Sequence, residues 1–215
     1  MSNKCLIITG GDVIRKDRLI DQIDSDTFVI CVDKGAETAL DYGIRIDLVL
    51  GDFDSISTKA YQSIEDKAIQ FPTEKDFTDT ELAVVEAIRR NMNQVIIANA
   101  IGNRVDHVLS TFFLLYKFKE NDIRIIGNDF EAFLIQKDYK ITNKKGMTLS
   151  LIPMSETLEN VFLEGLKYPL INTNVKIGDS LCISNIITDQ NASIRFKKGS
   201  ALVIITNLEE ENGQD

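Results

Sequence analysis

The sequence of 215 residues predicts an α/β domain with a mostly parallel sheet flanked by helices, over residues 1–136, followed by an all-β sandwich over residues 137–215. Three observations lead there. Short apolar runs alternate with helix-like patterns through the first 135 residues, which is the signature of a parallel sheet with crossover helices. After about Ile135 the pattern changes to short strand-like runs separated by glycine turns, as in small antiparallel sandwiches. No amphipathic helix pattern occurs in that second stretch.

Taken in order, residues 5–9, 28–32, 47–50, 68–71, 94–98 and 123–126 are rich in Ile, Val and Leu and too short for helices. They read as strands buried on both faces. Between them, residues 37–42 form a helix stopped by Gly43, and residues 57–66 form one capped by Ser57. Residues 80–91 carry Leu82, Val85 and Ile88 at helical spacing, and residues 106–118 carry Leu109, Phe112, Phe113 and Tyr116. In the second half the strand candidates are residues 140–142, 148–152, 160–163, 180–184, 193–196 and 201–206. Lys145-Gly146, Gly165, Tyr168-Pro169, Gly178-Asp179 and Lys198-Gly199 supply the turns. The boundary falls at residues 136–139 without a long linker, and residues 209–215 form a polar tail.

Composition removes several function classes. Lys plus Arg is 24 and Asp plus Glu is 33, a formal charge of −9. That balance argues against non-specific nucleic-acid binding, which depends on basic patches. A small anionic substrate remains compatible, because a bound metal reverses the local potential. No apolar run approaches the roughly 20 residues of a membrane span. Met1-Ser2-Asn3-Lys4 leads directly into a strand-like run without a signal-peptide pattern, so the expected location is cytoplasmic. The cysteines Cys5, Cys31 and Cys182 form no CxxC pair, and Cys5 and Cys31 lie inside expected strands as reduced, buried hydrophobes.

The chemistry stands at strand ends, where open parallel sheets hold their ligands. Gly51-Asp52-Phe53-Asp54-Ser55 follows one expected strand. Two aspartates two apart on an extended turn point the same way and can share a hard cation such as Mg²⁺, although Asp is also the usual turn residue. Lys75-Asp76-Phe77-Thr78-Asp79 follows the next strand and leads into a helix whose N–H groups can hold an anion. Carboxylates gathered on one edge would repel one another without a cation. The third segment, Gly102-Asn103-Arg104-Val105-Asp106-His107, combines a glycine, a guanidinium fork suited to phosphate, and an aspartate that could instead cap the helix. His107 is the single histidine, and a histidine at a helix start is often structural. Gly10-Gly11 and Asp33-Lys34-Gly35 complete the rim. Walker A, GxGxxG and GxSxG patterns are absent, and one histidine cannot build a multi-histidine zinc site. Metal-assisted chemistry on a phosphate remains.

These segments resemble the bacterial thiamine pyrophosphokinase family over nearly the whole length. The motifs that carry the resemblance are Val32-Asp33-Lys34-Gly35-Ala36, Asp47-Leu48-Val49-Leu50-Gly51-Asp52-Phe53-Asp54-Ser55, and Phe71-Pro72-Thr73-Glu74-Lys75-Asp76-Phe77-Thr78-Asp79-Thr80-Glu81. Gly102-Asn103-Arg104-Val105-Asp106-His107 follows, then Leu163-Glu164-Gly165-Leu166-Lys167-Tyr168-Pro169-Leu170 and Ser184-Asn185. Their order and spacing make the match specific. The resemblance implies an ATP- and Mg²⁺-binding catalytic domain, then a β-sandwich that helps bind thiamine. It also implies a homodimer whose active sites lie where one subunit's first domain meets the other's second. Transfer of the pyrophosphoryl group of ATP to the thiamine hydroxyl, releasing AMP, is the implied activity.

Carried over by motif, the resemblance makes Asp52, Asp54 and Asp76 metal ligands, while Lys75, Thr78, Asp79, Arg104 and Asp106 line the nucleotide and phosphate site. Gly11, Asp33 and His107 join the binding set, and Ser184 and Asn185 face the thiamine. Asp79 is the candidate acceptor of the hydroxyl proton. The chain departs from the family pattern at Asn99 and Asn103, where glycines are common, at Thr111, where asparagine is common, and at Ile186, where glutamate is common. Three alternatives share these residues: a pyrophosphokinase acting on a pterin alcohol, a phosphotransferase using Asp52 as a nucleophile, and a non-catalytic sensor of thiamine or nucleotide.

Overall fold

The computed structural model describes residues 3–51, 62, 65–70 and 76–207. The chain divides into two compact units, Met1–Asn128 and Asp129–Asp215.

Among the described residues the first unit has six parallel strands: β1 (Lys4–Ile8), β2 (Phe28–Val32), β3 (Leu48–Gly51), β4 (Ala68–Gln70), β5 (Gln94–Ala98) and β6 (Asp122–Ile126). Their order across the sheet is β6-β5-β1-β2-β3-β4, with every neighbouring pair parallel. Leu6, Ile8, Val29, Cys31 and Val49 point to one face and form a core cluster with Leu19, Ala36 and Ala39 from α1 (Lys16–Ile20) and α2 (Gly35–Tyr42). The alternate residues Cys5, Ile7, Ile30 and Leu50 are buried as well. Strand side chains alternate between faces, so both faces of the sheet are covered. α3 (Asp79–Arg89) packs on β1, β2 and β3 and also against α4 (Val105–Lys117).

Among the described residues the second unit has eight strands: β7 (Phe130–Ile135), β8 (Tyr139–Thr142), β9 (Thr148–Pro153), β10 (Thr157–Glu164), β11 (Leu170–Lys176), β12 (Asn185–Ile186), β13 (Asn191–Arg195) and β14 (Ala201–Thr206). They form two antiparallel sets, β12-β9-β14-β7 and β11-β10-β13-β8. Leu149, Leu151 and Val203 from the first set share one core with Leu158, Val161 and Ile194 from the second. Two sheets burying one common core make a sandwich.

The observed elements depart from the expected ones in several places, and β7 lies outside the expected set of strands. The compact units divide at Asn128 and Asp129, ahead of the expected 136/137 boundary, because β7 pairs along its whole length with β14. α1 was not expected, since five residues are too few to display a helical period. β11 was missed because it is an edge strand whose Asn172, Thr173 and Asn174 interrupt the apolar alternation. Residues 180–184 form turns rather than a strand, and the ladder begins at Asn185. The expected helix over residues 57–66 lies mostly outside the described residues, and Glu65–Lys67 is a 3₁₀ turn.

Candidate active site

From β1 the chain steps outward through β2 and β3 to β4, then returns beside β1 to lay down β5 and β6 on the other side. Strand order therefore reverses between β1 and β5, and such a reversal opens a crevice beyond the carboxyl ends of the strands. A cavity of about 590 Å³ lies there. Thr9, Gly10, Gly11 and Asp12 after β1, Asp33 and Lys34 after β2, and residues 99–104 after β5 line it, together with Thr78, Asp79 and Thr80 at the start of α3 and His107, Val108 and Thr111 on α4.

Close backbone contact shapes this wall. Gly11 N–H donates to the Asn99 carbonyl at 3.0 Å and Asp12 N–H to the Ile101 carbonyl at 2.6 Å. A Cβ on Gly11 would stand 2.2 Å from both of those oxygens, so a glycine is required for the approach. The Thr9 hydroxyl donates to the Ala98 and Asn99 carbonyls at 3.1 and 2.6 Å. At the end of β3, a Cβ on Gly51 would lie 2.0 Å from Asp33 Oδ1, so a glycine is required there as well.

α3 presents its N-terminus to the cavity. Thr78 caps it, its hydroxyl accepting the Glu81 N–H at 3.2 Å. The remaining first-turn N–H groups and the helix dipole favour an anion there. Lys117 of α4 pairs with Glu81 and lies over the Phe77 ring, which ties that first turn to α4. Arg104 meets Asp106 through two bonds, Nε to Oδ1 at 3.0 Å and a terminal nitrogen to Oδ2 at 2.7 Å. This pairing holds the Asp106 carboxyl well below the usual carboxylate range and raises Arg104. One edge of the guanidinium stays available for phosphate, since its five donors exceed the two that Asp106 engages.

The structure thus brings Gly11, Asp33, Thr78, Asp79, Arg104 and His107 to one cavity, with Asp106 attached through Arg104. Asp76 is exposed just ahead of α3 and is not part of the cavity lining. Asp52, Asp54 and Lys75 lie outside the described residues. Among the described residues no group of three or more metal-binding side chains occurs. Asp12 and Asn99 line the cavity; Asp12 was not singled out from sequence and Asn99 only as a departure from the family pattern, and standing just beyond β1 and β5 was the signal that could have found them.

In the second unit, the motifs 163–170 and 184–185 form one construction. The Asn185 carboxamide accepts Tyr168 N–H at 3.0 Å and Ile186 N–H at 2.9 Å, and donates to the Tyr168 carbonyl at 2.7 Å. Lys167 N–H donates to Ile186 O and Thr188 N–H to Gly165 O. Asn185 is 3% exposed, so it acts here by fixing the Tyr168 turn. Ser184 is exposed and sits at φ 57°, its N–H donating to Ser150 Oγ.

A parallel sheet whose cavity opens at the strand-order reversal, walled by glycine, a helix N-terminus and an arginine fork, defines an α/β enzyme class built for a phosphate-bearing ligand. Residues 20–127 match the family model "Thiamin pyrophosphokinase, catalytic domain", and residues 135–201 match "Thiamin pyrophosphokinase, vitamin B1 binding domain". The chain belongs to the thiamine pyrophosphokinase family. Thiamine pyrophosphokinase of Bacillus subtilis is 35% identical over 210 residues, spanning 92% of this chain and 96% of that protein. A crystal structure of thiamine pyrophosphokinase from Bacillus subtilis superposes with a TM-score of 0.87 at 34% identity, covering 95% of this chain and 99% of that one. That of Geobacillus thermodenitrificans gives 0.87 at 29% identity, covering 96% and 99%. The yeast enzyme, 17% identical with a TM-score of 0.78 over 95% of this chain and 86% of that one, shares the fold.

Proposed function

We propose that this chain transfers the pyrophosphoryl group of ATP to the thiamine hydroxyl, giving thiamine diphosphate and AMP. The observation that carries the reading is the cavity at the β1/β5 reversal, in a chain whose two halves match the catalytic and vitamin-B1-binding models of one family. The hydroxyl oxygen attacks the β-phosphorus; the bond from that phosphorus to the α-phosphate bridging oxygen breaks; AMP leaves. Such a reaction asks the protein mainly for positioning and charge neutralisation. Arg104 and the N-terminus of α3 offset charge on the phosphate oxygens, joined by Lys75 from the segment before α3. Asp79 accepts the hydroxyl proton as the new bond forms. Asp106 keeps the Arg104 fork oriented.

Asp52, Asp54 and Asp76 would hold a divalent cation. Their carboxylate oxygens suit Mg²⁺. When bound, that ion supplies neutralisation of the triphosphate charge. Ser184 and the Tyr168 turn held by Asn185 contribute to the thiamine site.

We also infer a homodimer in which the second half of one copy completes the first-half site of the other. Val105, Leu109, Phe113 and Tyr116 of α4 are 66%, 53%, 59% and 39% exposed, and their spacing puts them on one helix face. Sedimentation equilibrium tests this: the native chain is expected at twice the monomer mass and Phe113→Glu at the monomer mass; a native monomer overturns it. AMP release with thiamine or the divalent ion omitted tests the activity. Release requiring ATP, thiamine and metal together is expected, whereas AMP formed without thiamine contradicts the reading.

A further inference from the structure

Asn99 follows β5 at the edge of the cavity, and its surroundings leave one end of its side chain unmet. It is 1% exposed, lines the cavity, and holds φ 57°. Asparagine is among the few non-glycine residues that tolerate this region, and glycine suits the same backbone. The carboxamide is therefore separable from the backbone requirement. Its Oδ1 accepts the Ile14 N–H at 3.1 Å, and because a backbone N–H can only donate, this contact fixes which end of the amide is oxygen. The other end, Nδ2, is buried with no hydrogen-bond partner among the described residues.

A buried amide donor left unmet is costly, and few native donors remain so. Asn99 is one of the residues that line the cavity where the anionic substrate is proposed to bind. Its Nδ2 is buried behind that surface, so the donor is met once the bound nucleotide closes on this wall. We propose that Asn99 is a nucleotide-binding residue, its Nδ2 donating to an acceptor on the bound nucleotide while its Oδ1 pins the segment after β1 in the shape the cavity needs. This rests on the reading of the cavity as the ATP site.

Two variants separate the ends of the side chain. Asn99→Asp keeps an acceptor for Ile14 N–H and tolerates the backbone, but replaces the donor by an acceptor. Asn99→Gly keeps the backbone and removes both ends. The probe is a non-hydrolysable ATP analogue with Mg²⁺, measured by calorimetry on the full chain. Asn99→Asp is expected to weaken binding about tenfold or more, and its buried carboxylate to lower the melting temperature in the absence of ligand. Asn99→Gly is expected to weaken binding and also to lower the melting temperature, because the Ile14 contact is lost.

Charge alone could weaken the Asp variant, so the deciding readout is on the native protein. The Asn99 side-chain amide resonances are expected to shift downfield on saturation with the analogue. Unmoved resonances, as a donor permanently served by buried water would give, or Asn99→Asp binding within twofold of native, overturn the proposal. If Asn99→Asp does not fold, the resonance shift decides alone. A native protein that binds no analogue overturns the ATP-site reading itself and this proposal with it, while native binding with unmoved resonances overturns only the role of Asn99.

Discussion

Gly11→Ala puts the seam between the β1 and β5 segments under a defined load. The new Cβ would lie 2.2 Å from the Asn99 and Ile101 carbonyl oxygens, where ordinary contact begins near 3.4 Å. Both opposing groups are backbone, so relief requires the two segments to part. Parting breaks the Gly11 N–H to Asn99 and Asp12 N–H to Ile101 bonds. At about 1 kcal/mol each, and up to about 3 kcal/mol for a donor left buried, the loss is about 2–4 kcal/mol. Since about 1.4 kcal/mol is a factor of ten, part of that loss appearing in the bound state raises the KM for ATP about ten- to a hundredfold. Gly10→Ala is the control, because its Cβ meets Lys34 Cβ at 3.4 Å, an ordinary contact, and should leave stability within about 0.5 kcal/mol. Urea unfolding and steady-state kinetics on both variants make the comparison. Equal stability and equal KM for Gly10→Ala and Gly11→Ala would refute the seam as the element that shapes the cavity.

Asp54→Asn is expected to cut AMP formation by orders of magnitude while circular dichroism stays native; near-normal turnover removes Asp54 from the metal set. Arg104 depresses the Asp106 carboxyl, so the pair's contribution to stability is complete above the ordinary carboxylate range of about 4 and is lost as pH falls through the lower folded value. In a ¹³C carboxyl titration Asp106 should protonate below the ordinary aspartate range of about 4, and Arg104→Ala should return it to that range. Burial raises the Cys5 thiol to about 12 and Cys182 to about 11, and pushes Cys31 up as well. Native protein at pH 8 should therefore resist iodoacetamide and take up three equivalents only after denaturation.

The sequence revealed what depended on local pattern. β2 and β5 are legible because five and four consecutive apolar residues, Phe28–Val32 and Val95–Ala98, leave an uninterrupted run, and the end of α2 because a glycine follows it. β11 was hidden because its exposed edge position imposes no alternation. The rule that parallel sheets bind at their carboxyl ends points to the loops whose Gly11, Asp33, Thr78 and Arg104 line the cavity. It could not reveal Asn99, whose role depends on a contact with Ile14 eighty-five residues away. Nor could it separate Asn185 facing a ligand from Asn185 fastening the Tyr168 turn, since one asparagine residue type serves both.

The reaction itself is tested most directly with ATP labelled at the β-phosphorus, incubated with thiamine and Mg²⁺. The account predicts that the label and the γ-phosphate arrive together on thiamine while unlabelled AMP is released. Label recovered as ADP, inorganic phosphate or free pyrophosphate, with thiamine unlabelled, would contradict it.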